Sequence, residues 1–153
     1  MSTSPRTPAG SFVESRRRAR REHDRIVDSG EHLFAALDMR DIAVDGADLA
    51  VVLELSPRYT NPRGGLQGGL VATLADIVAG RAANDALPEG QAAVTADLHV
   101  HYLRSIDQGP AVAAARILRQ GRRTIVTQVE ITDGIDGPLG AVCTVAWSVV
   151  EVN

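Results

Sequence analysis

The pattern of apolar and polar positions predicts a helix, two strands, a second helix and then four strands. A weak apolar stripe predicts the first helix over residues 11–29, around an arginine-rich middle. Strand-like segments follow over Leu37–Asp45 and Asp48–Ser56. Small and apolar residues at helical spacing then predict one central helix over Gly68–Ala86, which ends before Pro88.

Alternation of apolar and polar residues predicts four strands in the rest of the chain. They are expected over Ala93–Arg104, Ala111–Arg119, Arg122–Thr132 and Leu139–Val150. Short turns between them favour an antiparallel meander. In the first of these strands, strict alternation assigns Val94, Ala96, Leu98, Val100 and Tyr102 to one face, and Thr95, Asp97, His99 and His101 to the other. One central helix covers only one face of a six-stranded sheet, so we expect the chain to form oligomers.

Composition and charge narrow the class of protein. The chain has 153 residues, 44% of them hydrophobic, which suits one domain over residues 30–153 after a disordered lead-in (1–10) and the N-terminal helix (11–29). A net charge of -3 predicts no general attraction to nucleic acid or to anionic membranes. No run of 18 apolar residues and no signal peptide is found, and Cys143 is the only cysteine, so we expect a cytoplasmic protein without disulfides.

Two features of the predicted central helix suggest chemistry. Gly68 and Gly69 open the helix, where the first amides have no internal partner, the dipole is positive and a ligand can approach the backbone closely. Such amides can bind an oxyanion. Asp76 lies further along among small and apolar residues. If it faces a cleft it can act as a general base or a nucleophile, and otherwise it is a solvent-facing or arginine-paired residue.

The spacing of these two features separates them in space. Eight residues from Gly68 to Asp76 correspond to about 12 Å along a helix axis. Groups that act on one carbonyl must converge within about 3–3.5 Å of it. If both residues are catalytic, they must therefore come from two helices, and hence from two subunits.

The residues Asn61, Gln67-Gly68-Gly69 and Leu74-Ala75-Asp76 resemble, in type and spacing, the signature of the PaaI-type (phenylacetate-pathway) acyl-CoA thioesterases. The resemblance extends in element order from about residue 30 to the end. It implies an α+β hot-dog fold, in which a curved antiparallel sheet of about six strands wraps around one central helix. It also implies hydrolysis of an acyl-CoA thioester to free acid and CoA, with no separate cofactor and no metal. The active sites are then expected at the interface of a homodimer or homotetramer.

The resemblance also assigns roles to residues. The Gly68 amide would polarise the thioester carbonyl, and Asp76 of the facing subunit would attack it or activate a water. Asn61 would orient substrate or water, and Thr95 would hold the water. Alternatively, Asn61 is a plain turn residue and Thr95 a plain strand residue. Gln67 stands where the family usually has His, so it can donate a hydrogen bond but cannot become positively charged.

Further candidates concern the substrate. Gly69 is a candidate for substrate contact at the helix start. CoA carries several phosphates, so the resemblance makes Arg104, Arg122 and Arg123 candidates for binding them, and ordinary solvated turn arginines are the alternative.

Other functions remain open from the sequence. A non-catalytic acyl-CoA or fatty-acyl binder is motivated by Gln67. An acyl-CoA hydratase or dehydratase of the same fold is disfavoured, because the central helix has no His. The run Arg16–Arg21 could bind nucleic acid, lipid or a partner protein, although we interpret it as a solvated helix face. Asp97, His99 and His101 could hold a metal, although a polar sheet face or a subunit contact is the preferred interpretation.

Overall fold

The structure, a computed structural model, describes Arg25, Ser29 and residues 32–152. The predicted lead-in over residues 1–10 lies outside the described residues. Of the predicted helix over residues 11–29, only Arg25 and Ser29 are described, and both are helical. The rest of that prediction, including the arginine run, lies outside the described residues.

The chain divides into two compact units, Met1–Asp38 and Met39–Asn153. The described part of the first unit contains a short helix, α1, over Leu33–Ala36. Its N-cap is His32, whose side chain accepts a hydrogen bond from the Phe34 amide at 3.2 Å. This bond satisfies one of the amides that a helix start leaves without an internal partner.

The second unit is an antiparallel sheet with one long helix, α2, over Gly68–Asp85. The strands are β1 (Met39–Ile42), β2 (Leu49–Leu53), β3 (Gln91–Tyr102), β4 (Ala111–Gln120), β5 (Thr124–Asp133) and β6 (Leu139–Glu151). Their order across the sheet is β1-β2-β4-β5-β6-β3. Helix α2 packs against β2, β3, β4, β5 and β6, and its Arg81 forms an ion pair with Asp41 of β1 at 2.7 Å. This arrangement confirms the predicted α+β hot-dog fold.

Helix α2 begins and ends within one residue of its prediction. Val71, Leu74 and Val78 are buried on it and form the core together with the helix-facing side chains of the sheet. Each such side chain contributes about 1.5–3 kcal/mol when fully buried. At Gly80 a Cβ would lie 2.9 Å from the indole ring of Trp147, so the missing side chain lets the ring pack under the helix. Among the described residues no helix, α2 included, is long and apolar enough to span a membrane.

The first two strands are shorter than predicted, because the backbone turns near their ends. Strand β1 begins only after Asp38, which has a φ of 46° in the left-handed region. The chain turns again at Gly46, with a φ of 73°, and β2 ends at Leu53. At Tyr102, β3 stops two residues earlier than predicted, because the next two amides both donate to the Gly140 carbonyl at 2.8 and 3.0 Å.

The predicted meander of the last four strands is wrong for β3. Strands β4, β5 and β6 do follow one another as hairpins, but β3 pairs with β6 at the edge of the sheet. The place beside β4 is taken by β2. Residues 103–110 connect β3 to β4, and this connection is longer than the 2–5 residues typical of a hairpin loop. It therefore allows the chain to cross to the other side of the β5–β6 pair.

The predicted faces of β3 are also corrected, because the strand contains a bulge. The register with β6 shifts between Thr95 and Asp97, so that Ala96 has no partner. Thr95 lies opposite the buried Trp147, and Leu98, Val100 and Tyr102 follow on that same helix-facing side. The opposite face carries Asp97, His99 and His101 without Thr95.

Candidate active site

The loop that leads into α2 is held in place by backbone hydrogen bonds. The Gln67 amide donates to the Tyr59 carbonyl at 2.8 Å, and the Leu66 amide donates to the Ile106 carbonyl at 2.7 Å. These two bonds join the loop to itself and to the segment after β3. The start of α2 therefore has a defined position, although its first residues are glycines.

Asn61 makes the turn within this loop. Its side-chain oxygen accepts a hydrogen bond from the Arg63 amide at 2.9 Å, and its carbonyl accepts from the Gly64 amide at 2.9 Å. The Asn61 amide donates to the Gly65 carbonyl at 2.7 Å. Its Nδ2 group has no hydrogen-bond partner among the described residues. Asn61 thus serves as a turn residue and still has donors available to the cleft beside it.

The N-terminus of α2 lies open to a cleft. The Gln67 carbonyl accepts from the Leu70 and Val71 amides, and the Gln67 side chain is exposed and makes no capping hydrogen bond. Within the described part of the chain, nothing accepts a hydrogen bond from the Gly68 amide. The positive end of the helix dipole lies at the same place. The amide can therefore bind a negatively polarised oxygen.

The cleft at this helix end has a volume of about 420 Å³. Its lining includes Asn61, Arg63, Gly68, Tyr102, Arg104 and Ser105. Of the three predicted phosphate-binding arginines, only Arg104 lines it. Arg122 and Arg123 lie in the turn between β4 and β5, outside this lining. Arg63, which was not among the candidates from the sequence, supplies the second cation.

Asp76 lies half-buried in the middle of α2 and is bonded to Thr95. The Thr95 hydroxyl donates to Asp76 Oδ1 at 2.9 Å, which joins α2 to the bulged part of β3. Asp76 Oδ2 makes no hydrogen bond, and the carboxylate forms no ion pair, with any described residue. The arginine-paired alternative therefore has no support in the described residues. One carboxylate oxygen remains available to take a proton.

The structure separates the predicted catalytic residues into two groups. Asn61 and Gly68 line the cleft, whereas Gln67, Asp76 and Thr95 do not. Both groups belong to α2 and its neighbours, and the helix rise places them about 12 Å apart. A single chain thus contains two half-sites, the Gly68 half-site (Asn61, Gly68) and the Asp76 half-site (Asp76, Thr95).

Asp133 was not predicted from the sequence, and it holds the connection from β3 to β4, whose first residues line the cleft. Its buried carboxylate accepts from the amides of Asp107, Gln108 and Gly109 at 2.6–3.2 Å. Burial acts to raise the pKa of Asp133, but these three hydrogen bonds prevail and hold it below its ordinary value. A carboxylate that directly precedes the glycine of a turn was the available signal. Asp133 fixes the end of the connection whose first residues line the cleft.

The histidines of β3 and the cysteine of β6 are the remaining candidates for chemistry. His99 and His101 contact each other edge to face, with ring centroids 4.4 Å apart. In the described ranges no group of three or more His, Cys, Asp or Glu side chains could hold a metal ion. Cys143 is fully buried, and burial raises the pKa of its thiol to about 11. The thiol is therefore a core group and a poor nucleophile.

Comparison with known proteins identifies the family. The family model described as Thioesterase superfamily matches residues 64–139. A solved protein of Bacillus halodurans, determined with CoA, is 32% identical over 77% of this chain and 75% of its own, with a TM-score of 0.69. The chain belongs to the thioesterase superfamily. A solved thioesterase of Haemophilus influenzae is 26% identical, with a TM-score of 0.70, over 75% of this chain and 80% of its own.

A curated relative from mouse, acyl-coenzyme A thioesterase 13, is 30% identical over 57% of this chain and 62% of its own. Membership of the thioesterase superfamily supports thioester hydrolysis as the general reaction. The matched residues include Gly68, Asp76, Thr95 and Arg104, whereas Asn61 precedes them. Most of both half-sites therefore lies in the part of the chain that matches the family.

Proposed function

We propose that this thioesterase hydrolyses an acyl-CoA thioester to a free acid and CoA, at a site assembled from two subunits. The Gly68 half-site of one subunit binds the thioester carbonyl, and the Asp76 half-site of its partner delivers the water. A homodimer is the smallest assembly with such sites, and a homotetramer is compatible with the same arrangement.

The separation of the half-sites within one chain supports this assembly. A gap of about 12 Å is several times the distance over which two groups can act on one carbonyl carbon. Strand β3 has no neighbour on its outer side among the described residues, and it is 12 residues long. An exposed strand edge of this length is a surface on which a second chain can pair. A second copy at this edge would bring another α2 close to Thr95.

The proposed reaction uses each group for one step. Asp76 takes a proton from a water molecule, whose oxygen attacks the carbonyl carbon. The Gly68 amide stabilises the negative charge that develops on the carbonyl oxygen. The C–S bond then breaks, and CoA leaves as a thiolate. Because an ordinary thiol has a pKa of about 8.5, this leaving group needs little acid assistance, which is compatible with Gln67 in place of His.

An acyl-CoA is the substrate class that best fits the cleft and the relatives. Arg63 and Arg104 line the cleft, and guanidinium groups bind phosphates through paired N–H donors. CoA was bound in the similar protein of Bacillus halodurans, and the mouse relative is named for acyl-CoA. The PaaI-type signature described above points to the same class.

Thiol release from a panel of aromatic and aliphatic acyl-CoAs tests the proposal. The buried Cys143 thiol should react slowly with the detection reagent, so the background is low. We expect wild-type turnover, and a decrease of about 10²–10⁴-fold in kcat for Asp76→Asn, because a general base is lost. Asp85→Asn, an exposed change in the same helix, is the matched control and should keep activity. If wild type and Asp76→Asn are equally inactive on the whole panel, the proposal is refuted.

A non-catalytic acyl-CoA binder is the second candidate, favoured by the exposed Gln67 at the position where the family usually has His. The two functions are distinguished by measuring binding and thiol release separately. Calorimetric titration with a thioether analogue of an acyl-CoA measures binding without hydrolysis. Tight binding of the analogue together with absent thiol release would establish the binder, whereas binding with turnover that depends on Asp76 would exclude it.

A further inference from the structure

Tyr102, the last residue of β3, makes a contact with the helix start that no assigned role explains. Its hydroxyl donates to the Gly68 carbonyl at 2.7 Å. Its ring carbon Cε1 lies 3.5 Å from the point that a Cβ on Gly68 would occupy. The side chain is 57% exposed, and it lines the cleft. Tyr102 is therefore next to both the backbone of Gly68 and the space for a ligand.

The helix start needs such a contact for a physical reason. Gly68 and Gly69 both lack a Cβ, so their backbone loses more conformational freedom on ordering than any other residue pair. The Gln67 side chain makes no capping bond, and nothing lies within 4 Å of a Cβ on Gly69. Among the described residues, Tyr102 is the only side chain outside α2 that forms a hydrogen bond with the first peptide groups of the helix.

We propose that Tyr102 is a positioning residue for the Gly68 amide. This inference rests on the proposed function and extends it. By holding the Gly68 carbonyl, Tyr102 fixes the orientation of the peptide groups around Gly68 and aims its N–H at the thioester oxygen. Tyr102 thus acts in the Gly68 half-site, although it shares β3 with Thr95 of the Asp76 half-site.

Tyr102→Phe removes the hydroxyl and keeps the ring in the cleft. Loss of one hydrogen bond of this kind should lower kcat by about two- to tenfold and change KM less. The reason is that the oriented Gly68 amide stabilises the negative charge that develops on the carbonyl oxygen in the transition state. Asp85→Asn, an exposed change at the far end of α2, should leave kcat unchanged. A Tyr102→Phe protein with unaltered kcat contradicts the proposal.

Mixed dimers, purified through two different tags, show in which half-site the Tyr102 hydroxyl acts. In a dimer of one Asp76→Asn chain and one Tyr102→Phe chain, one site keeps every group, and we expect half the wild-type kcat per dimer. When both changes are on one chain and the other chain is wild type, the remaining site lacks the Tyr102 hydroxyl. That dimer should have half the kcat of Tyr102→Phe. Equal or reversed values would overturn the assignment of Tyr102 to the Gly68 half-site.

A measurement without substrate separates this inference from the proposed function. The carbonyl carbon resonance of Gly68 in NMR spectra should move in Tyr102→Phe and stay in Asp85→Asn, because only the first change removes its hydrogen bond. An unmoved resonance refutes the Tyr102 contact whatever the activity. A moved resonance in a protein without turnover on any acyl-CoA refutes the proposed function and leaves the contact in place.

Discussion

Replacement of Asp133 by Asn is expected to destabilise the fold through the segment that ends the β3–β4 connection. The carboxylate is 8% exposed, and it accepts from the amides of Asp107, Gln108 and Gly109. The shortest of these bonds, to Gly109, measures 2.6 Å. Asparagine retains one acceptor oxygen, but its NH₂ group would meet amide donors that then have no acceptor.

The expected magnitude follows from these contacts. A hydrogen bond to a charged group contributes about 1.5–3 kcal/mol, and such contributions are not additive. The residues Asp107 and Gln108 are exposed, so their amides can turn towards water, whereas the Gly109 amide is less accessible. We therefore expect Asp133→Asn to lower the free energy of unfolding by about 2–4 kcal/mol at pH 7.

Urea unfolding followed by the fluorescence of Trp147, the only tryptophan, measures this free energy. Protein concentration must be equal in all samples, because subunit association adds to apparent stability. Asp136→Asn, an exposed change in the loop that follows Asp133, is the control and should shift stability by less than about 0.5 kcal/mol. A shift for Asp133→Asn as small as that of the control would refute the proposed role of the carboxylate.

The difference in stability between wild type and Asp133→Asn should depend on pH. The folded pKa of Asp133 is lower than the unfolded value of about 3.9, so the unfolded chain binds the proton more readily. The stability that wild type gains over Asp133→Asn is then fully present above about pH 5 and declines as the pH falls below about 4. A stability difference between the two proteins that grows as the pH falls would contradict this expectation.

Two further changes test contacts around α2. Thr95→Val should lower kcat by about two- to tenfold, because Asp76 loses the bond that orients it, and Thr95→Ser should restore most of the rate in the thiol-release assay. If Thr95→Val is as active as wild type, the hydroxyl has no part in the Asp76 half-site. Gly80→Ala should cost about 1–3 kcal/mol in thermal unfolding, since its Cβ would lie 2.9 Å from Trp147. Gly69→Ala, with open space around its Cβ, should not lower the melting temperature, and equal effects of both changes would refute the packing argument.

Local patterns predicted the elements well and their arrangement less well. Helix α2 was predictable, because small and apolar residues recur at helical spacing and Pro88 follows its end. Strands β1 and β2 were predicted too long, because apolar alternation continues into residues that turn, such as Asp38. The place of β3 beside β6 depends on contacts between residues far apart in the chain, which periodicity does not contain.

The most consequential error concerns Thr95, and its cause lies in a single residue. Alternation has a period of two, so one unpaired residue moves every later side chain to the opposite face. Thr95 was predicted on the face of Asp97 and the histidines, where its hydroxyl could not reach α2. The bulge at Ala96 instead leaves Thr95 on the helix-facing side, 2.9 Å from Asp76 Oδ1, and keeps the half-buried Leu98 on that side as well. The bond between Thr95 and Asp76 therefore exists because the strand departs from regular alternation, so the pattern that correctly predicts the strand misplaces the residue that orients Asp76.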